Sequence, residues 1–283
     1  MCLWSASVAQ KTQLKDVADL KRVASKLFVL LMLLAILLPF VPLLLWSFSQ
    51  QWFYPDIVPS DWGMRAWNYV FGVAGSQVAA AVGTSVAVSG LAALVSVMIA
   101  LPAARVLGLG SRRRKLALQF VFALPILVPS LSVAMGLHFW FLKLHLTDSI
   151  VGVVLVHLTL CVPYALFVLA GVFANYDPGM EWQARSLGAS RWFVFTRVTL
   201  PLIFPGMVVA ALFSFLLSWS QYLNTLIIGG GNVITLPVLL FSLMNSGDRP
   251  VAAAVSWMVV LPAFVALLFS ARALGRRVWI GGW

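Results

Sequence analysis

Few residues of this chain have the types and spacing needed for chemistry. All eight Asp and Glu residues lie outside its six long apolar runs, so no run carries a carboxylate that could relay ions near the middle of a membrane. His138 and His157 are the imidazoles within the runs, and a single buried histidine is more typical of a hydrogen-bonded packing residue than of a proton relay. The sequence has no GxxxxGKS or GxxxxGKT phosphate loop, no HExxH pair and no nucleophile elbow. These observations predict a chain without a catalytic, metal or ATP site of its own.

The apolar runs do contain uncharged polar residues that could contact a solute in transit. Hydroxyl and amide groups can pass a hydrated solute without holding it tightly, and they serve equally well as contacts between packed helices. Both interpretations stay open for each of these residues. The candidates for a translocation pathway are Ser85, Ser89, Ser130, Tyr164, Ser218, Gln221, Tyr222 and Asn224.

A polar insert, DPGMEWQARSLGASRWFVFTRVTLPLIFP, interrupts the apolar pattern at 177–205. Asp177 and Pro178 are typical of a helix start, because Asp can cap a helix and Pro in the first turn loses no hydrogen bond. Gly188 suits a left-handed helix end, and Ser190 can cap a second short helix. The insert is therefore predicted to form two short helices at the membrane surface.

The first of these helices has the pattern of a docking element. Ala184 and Leu187 fall near one face, and amphipathic helices commonly dock in a groove on a partner through such a face. Pro201 ends or bends the second helix where the next apolar run begins. A chain otherwise suited to lipid has no packing reason for such an insert, so a soluble partner is expected to bind there.

The elements that position these residues are predicted to be membrane-spanning helices. Hydrophobic residues make up 62% of the 283 positions and charged residues 10%, whereas soluble domains have about 45–50% and about 25%. Each of the six runs is long enough to cross about 30 Å of hydrocarbon as a helix. The fold class is therefore an all-α polytopic membrane protein. The runs cover about 27–49, 77–106, 117–142, 150–173, 202–228 and 251–272.

The net charge of +11 is distributed as in a membrane protein rather than a nucleic-acid-binding protein. If the N-terminus is cytoplasmic, only Arg65, Lys143 and Arg249 of the 19 Lys and Arg residues fall outside, and the other sixteen fall inside. This bias predicts a multi-pass membrane protein with both termini in the cytoplasm. The basic cluster 112–115 is then a topology anchor.

The same pattern predicts the organisation along the chain. Residues 1–26 form a basic amphipathic tail, 27–49 a retained first span, and 50–76 an aromatic-rich periplasmic loop. Five spans follow within 77–272, and 273–283 form a cytoplasmic tail. Cys2 and Cys161 lie far apart in the sequence, so no disulfide is expected.

The insert resembles the EAA motif of MetI-like permease subunits, which belong to binding-protein-dependent ABC importers. In that motif Glu-Ala-Ala precedes a Gly four residues on and an Ile-x-Leu-Pro further along. Trp182 stands at the usual Glu, and Glu181, one residue earlier, is a candidate for the acidic role. FALPILVPS in the third run and GGGNVITLP after the fifth are also similar to the family, and the resemblance covers about 80–272. The matching positions are Trp182, Gln183, Ala184, Gly188, Val198, Leu200 and Pro201.

The resemblance implies a six-span permease of the bacterial inner membrane whose last five helices form the shared core. It implies that 178–200 is a segment that couples the permease to a separate ATPase. It implies two ATPase subunits, a second permease subunit, identical or related, and a periplasmic solute-binding protein as partners. ATP and Mg would be bound by the ATPase, so this chain needs no cofactor and carries no catalysis. The coupling residues that it implies are Glu181, Ala184, Arg185, Leu187, Gly188, Leu200 and Pro201.

The substrate and the alternatives are less sharply defined. The short region before the core and the SWSQYLNTLIIGGG run are most similar to the branch that carries polyamines, thiamine, ferric iron or phosphonates. One alternative function is a secondary carrier, which would need a coupling ion and charges in the spans. Another is a channel or structural subunit, for which the polar insert would have no explanation.

Overall fold

Helices dominate the fold, because a helix satisfies the backbone polar groups of a long apolar sequence internally. The computed structural model of the protein describes residues 22–53, 55–110 and 112–280. Cys2 and most of the predicted amphipathic tail lie outside the described residues. The long helices are α1 (Arg22–Leu37), α4 (Gly75–Leu109), α5 (Arg112–Leu127), α6 (Ser130–Lys143), α7 (Ile150–Ala174), α10 (Leu200–Trp219) and α13 (Arg249–Ile280). The shorter ones are α2 (Phe40–Ser47), α3 (Arg65–Asn68), α8 (Gly179–Ser186), α9 (Arg191–Val194), α11 (Leu223–Gly229) and α12 (Leu236–Asn245).

Four helical stretches in the described chain are long and apolar enough to cross a membrane, and two bent pairs bring the number to as many as six. The four stretches are Gly75–Leu109, Ile150–Ala174, Arg191–Trp219 and Arg249–Leu268. α1 and α2 form one bent pair at 43°, and α5 with α6 form the other at 90°. Length and composition therefore support the six spans expected from the sequence, but two of them are broken.

The break between α5 and α6 differs from the single span expected over 117–142. Pro129 adopts an extended conformation (φ −55°, ψ 131°) between the two helices. Proline lacks the N–H that would continue α5, and it disfavours helical geometry in the residue before it. The chain therefore turns sharply at Pro129 instead of kinking within one continuous helix.

A second difference lies at the end of the fifth span, which was expected to reach 228. α10 ends at Trp219, and α11 follows as a separate helix after Gln221 and Tyr222. The Asp148 N–H donates a 2.8 Å hydrogen bond to the carbonyl oxygen of Ile228, so the end of α11 is fastened to the loop before α7. The polar run SWSQYLN thus contains a turn at 220–222 that separates two helices.

The core lies where α4 packs against α7 and α10. The buried face of α4 is rich in small residues, which allow helix backbones to approach closely. Gly108 shows how tight the packing is, because a β-carbon there would overlap Phe173 of α7. A cluster that includes Leu107, Leu169, Phe173 and Ile203 fills the end of the bundle next to α8.

Different structures occupy the two ends of the bundle. At the end where α4 begins, strands β1 (Ser49–Gln51) and β2 (Asp61–Trp62) form an antiparallel pair. Arg65 and Asp248 form a 2.7 Å ion pair at this end and join the loop before α4 to the loop before α13. At the other end of α4, some 30 residues or about 45 Å along the helix, lie α8 and α9.

Candidate functional site

The polar insert folds into α8 and α9 between the long helices α7 and α10. Asp177 Oδ1 accepts a 2.8 Å hydrogen bond from the N–H of Gly179 and caps the start of α8. Gly188 has a φ of 86°, the left-handed conformation predicted for this helix end. Ser190 Oγ accepts a hydrogen bond from the N–H of Phe193 at 3.3 Å and caps α9, as predicted. Local sequence signals therefore define the turn that joins the two short helices.

Large apolar side chains are exposed on this segment. Leu187 is 89% exposed, Trp192 74% and Trp182 65%. A concave surface of about 480 Å³, here called the α8–α9 surface, is lined by Ala184, Leu187, Gly188, Ala189, Ser190 and Phe193. An apolar patch of this kind, outside the long helices, is typical of a protein interaction site. Ala184 and Leu187 therefore lie on one surface, as the sequence predicted.

Glu181, in the first turn of α8, is buried at 4% exposure rather than presented on that surface. Its Oε2 accepts a 2.6 Å charge-assisted hydrogen bond from Nη2 of Arg105, near the end of α4. Its Oε1 accepts 2.8 Å hydrogen bonds from the hydroxyls of Tyr176 and Thr199. The only glutamate of the chain thus connects α8 to three neighbouring elements.

The charge state of Glu181 follows from these contacts. Burial alone would raise the pKa of this carboxyl group. The hydrogen bonds from Arg105, Tyr176 and Thr199 and the positive charge of Arg105 outweigh burial and lower the pKa from 4.5 to about 2. The carboxylate is therefore ionised and paired at any physiological pH.

The other predicted coupling residues divide between the surface and the start of α10. Arg185 is exposed, Leu200 is partly buried, and Pro201 is exposed in the first turn of α10. A π-helical turn, Phe195–Thr199, separates α9 from α10. The predicted set is thus not one cluster, because Glu181 belongs with Arg105 while Ala184, Leu187 and Gly188 form part of the α8–α9 surface.

Arg105 is a site residue that the sequence analysis missed. It was counted only among the basic residues at the cytoplasmic end of the second span. Two signals could have singled it out: it precedes the end of α4 by four residues, and the chain has a single glutamate. The partners are 76 positions apart in the chain, so no local pattern pairs them.

His157 is a hydrogen-bonded packing residue, as predicted. It is fully buried on α7, with Nδ1 2.7 Å from Ser218 Oγ and Nε2 3.0 Å from Thr225 Oγ1. Both ring nitrogens therefore have partners, and the imidazole links α7 to α10 and α11. Ser218, proposed from the sequence for the pathway, is 2% exposed and belongs to this contact.

The remaining pathway candidates do not gather around one point. Ser85 is buried and its Oγ accepts a 2.7 Å hydrogen bond from the N–H of Leu236, at the start of α12. Ser89 is also buried on α4, whereas Ser130 begins α6 and Tyr164 is 38% exposed on α7.

The turn after α10 holds the other three candidates. Asn224 Nδ2 donates a 3.1 Å hydrogen bond to Gln221 Oε1. Tyr222 stacks on Phe241 of α12 with ring centroids 4.2 Å apart. Tyr222 therefore lies against α12, and Asn224, the second residue of α11, contacts Gln221.

Comparison with known proteins identifies the family. Residues 96–280 match the family described as binding-protein-dependent transport system inner membrane component. The chain belongs to this family. Among its relatives is the putative 2-aminoethylphosphonate transport system permease protein PhnV of Salmonella paratyphi A, 32% identical over 90% of this chain and 95% of the relative. The putrescine transport system permease protein PotI of Escherichia coli is 28% identical over 70% of this chain and 74% of the relative.

Solved structures share the fold of this permease. A chain of a bacterial ABC transporter involved in the import of the acidic polysaccharide alginate gives a TM-score of 0.68 at 15% identity and covers 88% of this chain and 95% of its own. A second alginate transporter structure, in complex with a pentasaccharide-bound periplasmic protein, gives 0.61 at 17% identity and covers 93% of this chain and 97% of its own.

These comparisons confirm the all-α MetI-like permease fold and the function predicted from the EAA-like insert. The protein is a multi-pass membrane permease subunit of an ABC-type importer. They favour this function over a secondary carrier or a channel subunit.

Proposed function

We propose that the segment 178–200 couples this permease to a separate ATPase subunit by seating the α8–α9 surface in a groove of that subunit. The observation that carries the proposal is the 89% exposure of Leu187 beside a concave surface at one end of the bundle. When a partner covers exposed leucine and tryptophan side chains, the complex is stabilised by about 25 cal/mol for each Å² of apolar area removed from water. This explains why an otherwise lipid-adapted chain contains the insert.

The proposed assembly follows from what the chain lacks. It has no phosphate-binding loop, and its spans contain no Asp or Glu. Energy must then enter from outside, so two ATPase subunits would hold ATP and Mg and pull on α8 and α9 in two permease subunits. The second permease subunit would be identical or related. A periplasmic solute-binding protein would deliver the solute at the opposite end, and the solved alginate transporter in complex with a pentasaccharide-bound periplasmic protein supports such a partner.

The orientation that we propose places α8 and α9 in the cytoplasm. The sixteen-to-three bias of basic residues supports cytoplasmic termini. The ion pair between Arg65 and Asp248 joins two loops that this orientation assigns to the outside. Reporter fusions after about residues 112 and 190 should report cytoplasm, and those near 60 and 245 the periplasm. A periplasmic signal at 190 would contradict the docking proposal.

The proposed substrate is 2-aminoethylphosphonate, with putrescine as the second candidate. The support is the 32% identity to PhnV over 95% of its length, against 28% identity to PotI over 74%. Both solutes are small and carry an amine. Gln221, Tyr222 and Tyr164, half-buried or partly exposed polar residues, are the proposed pathway contacts.

Purification of the affinity-tagged permease from its native membrane tests the assembly directly. We expect two ATPase subunits for each pair of permease subunits, and ATP-driven uptake of labelled 2-aminoethylphosphonate after reconstitution with the binding protein. The permease reconstituted without the ATPase should show no uptake driven by a proton or sodium gradient. Gradient-driven accumulation by the permease alone would contradict the importer mechanism.

A further inference from the structure

Glu181 is the point at which the polar insert is fastened to the bundle. In the described part of the chain, all side-chain hydrogen bonds that leave α8 run through this carboxylate. They reach Arg105 of α4, Tyr176 at the end of α7 and Thr199 in the turn before α10. The three long helices α4, α7 and α10 form the core of the bundle. One side chain of α8 therefore contacts α4 directly and also contacts the residues that flank α7 and α10.

The turn next to this contact is suited to bending. Phe195–Thr199 is a single π-helical turn, and such turns are frequently found at functional sites and are among the few places where helices kink sharply. Thr199 is the last residue of the turn and is 1% exposed. Without the hydrogen bond between Thr199 and Glu181, a displacement of α8 could be absorbed by the turn. With it, α8 and the start of α10 move together.

Arg105 extends the same connection to α4. Its side chain is 38% exposed, whereas that of Glu181 is 6% exposed, so the carboxylate is the desolvated partner and depends on the guanidinium. Apart from Glu181, α8 is exposed around Leu187, and it contacts mainly α9 and the π-helical turn. A movement of the α8–α9 surface caused by a bound partner would thus be transmitted to α4 through the pair of Arg105 and Glu181.

We propose that Arg105 and Glu181 are positioning residues that transmit movement of the coupling segment to α4 and α10, and that they do not contact the ATPase themselves. This inference rests on the proposed docking of the α8–α9 surface on an ATPase subunit. The carboxylate of Glu181 transmits the movement of α8 through two contacts, one with Arg105 of α4 and one with Thr199 next to α10. In variants without the pair, the ATPase stays bound and ATP hydrolysis continues, while fewer solute molecules are transported per ATP.

The variants that test the pair of Arg105 and Glu181 are Glu181→Gln, Arg105→Gln and the double variant. Arg105→Lys is the conservative replacement. The matched control is Arg65→Gln, which removes the ion pair with Asp248 at the other end of the bundle. Each complex is purified with its ATPase and reconstituted, and two quantities are measured. The first is the amount of ATPase that stays bound, and the second is the number of 2-aminoethylphosphonate molecules taken up per ATP hydrolysed.

We expect every variant to retain the ATPase, and both single Gln variants to transport about tenfold fewer molecules per ATP, in the range typical of a lost coupling between sites. The double variant should be no worse than either single variant, because each breaks the same connection. Arg105→Lys should keep most of the coupling, and Arg65→Gln should match the wild type. If Arg105→Gln does not accumulate, because it leaves the buried carboxylate without its guanidinium, Glu181→Gln carries the test alone with the same outcomes, since the Arg105 that it leaves unpaired is partly exposed.

An unchanged transport ratio in Arg105→Gln would overturn the inference, and so would loss of the ATPase from that variant, which would assign the pair to docking. A wild-type permease that retains no ATPase would instead contradict the proposed function. The two failures are therefore distinguishable in one set of preparations.

Discussion

Nη2 of Arg105 lies 2.6 Å from Oε2 of Glu181, although the two residues are 76 positions apart in the chain. Because of this contact, the glutamate next to the EAA-like motif is buried and does not lie on the exposed surface of the insert. The glutamate, which the sequence placed with the coupling residues, is 4% exposed and faces the bundle. Trp182, at the position where the family usually has its glutamate, is 65% exposed instead. The carboxylate of Glu181 therefore anchors the insert to α4, and apolar side chains form the exposed surface of the insert.

The first prediction concerns the stability that this ion pair provides. Because the pKa of Glu181 is lowered from 4.5 to about 2, its contribution is complete above pH 4.5 and is lost as the pH falls toward 2. Glu181→Gln should destabilise the permease by about 3 kcal/mol at pH 7, the low end for breaking a buried pair, because Arg105 is partly exposed. Thermal unfolding in detergent at pH 7, 5, 4 and 3 measures this. A difference from wild type that is as large at pH 3 as at pH 7 would refute the assignment.

The second prediction concerns the turn at Gly188. Its φ of 86° is unfavourable for residues with a β-carbon, yet no atom lies within 4 Å of the position that a β-carbon would take. Gly188→Asn should therefore be tolerated best, since Asn adopts this conformation more readily, while Gly188→Ala should cost about 1–2 kcal/mol. Gly188→Asp should insert in the membrane normally and abolish transport, because it places a charge on the α8–α9 surface. Uptake assays together with membrane protein levels give the order, and normal uptake by Gly188→Asp would reject the proposed role of the turn.

The third prediction separates docking from folding. Leu187→Asn should leave the melting temperature of the isolated permease unchanged, because the side chain is 89% exposed, but should release the ATPase subunit during purification. Ala184→Arg should do the same by placing a bulky charge in the interface, at a cost of a few kcal/mol. Ile57→Asn is the matched control, since Ile57 is also 89% exposed but lies in the loop at the opposite end. Equal ATPase retention in Leu187→Asn and Ile57→Asn would contradict the prediction.

The fourth prediction compares two buried serines. Ser218→Ala removes the partner of His157 Nδ1 and should cost about 0.5–2 kcal/mol, the range for hydrogen bonds between helices in membranes. Ser96→Ala should be neutral or slightly stabilising, because Ser96 Oγ has no hydrogen-bond partner among the described residues. Thermal unfolding of both variants in the same detergent tests this pair. A larger loss for Ser96→Ala would show that the contact to His157 is not the relevant interaction.

The sequence was informative wherever a local signal determines the structure. The left-handed turn at Gly188 and the cap at Ser190 depend on neighbouring residues alone, and both were predicted. The long apolar helices were also placed well; α7 spans Ile150–Ala174, against an expected 150–173. These features need only helix periodicity, composition and capping chemistry.

Other features depend on contacts that a single sequence does not display. A proline such as Pro129 can either kink a helix or end it, so the sequence alone does not predict the 90° turn between α5 and α6. The break between α10 and α11 at 220–222 contains no proline or glycine that would mark it. The pairing of Arg105 with Glu181 arises only once α4 and α8 meet. Among the pathway candidates, Ser85 and Ser218 prove to be engaged in helix contacts, and no property of their local sequence distinguished them from Tyr222.

The most direct test of the central claim is a photo-cross-link from the α8–α9 surface. A photoreactive amino acid replaces Leu187 in cells that express the whole transport system, and a second strain carries it at Ile57 as a control of equal exposure. After irradiation, cross-linked products are identified by mass spectrometry. We predict that position 187 captures an ATP-binding subunit as its main product and that position 57 does not. A product at position 187 that contains no ATPase, while the ATPase copurifies with the permease, would contradict the claim that this surface receives the work of ATP hydrolysis.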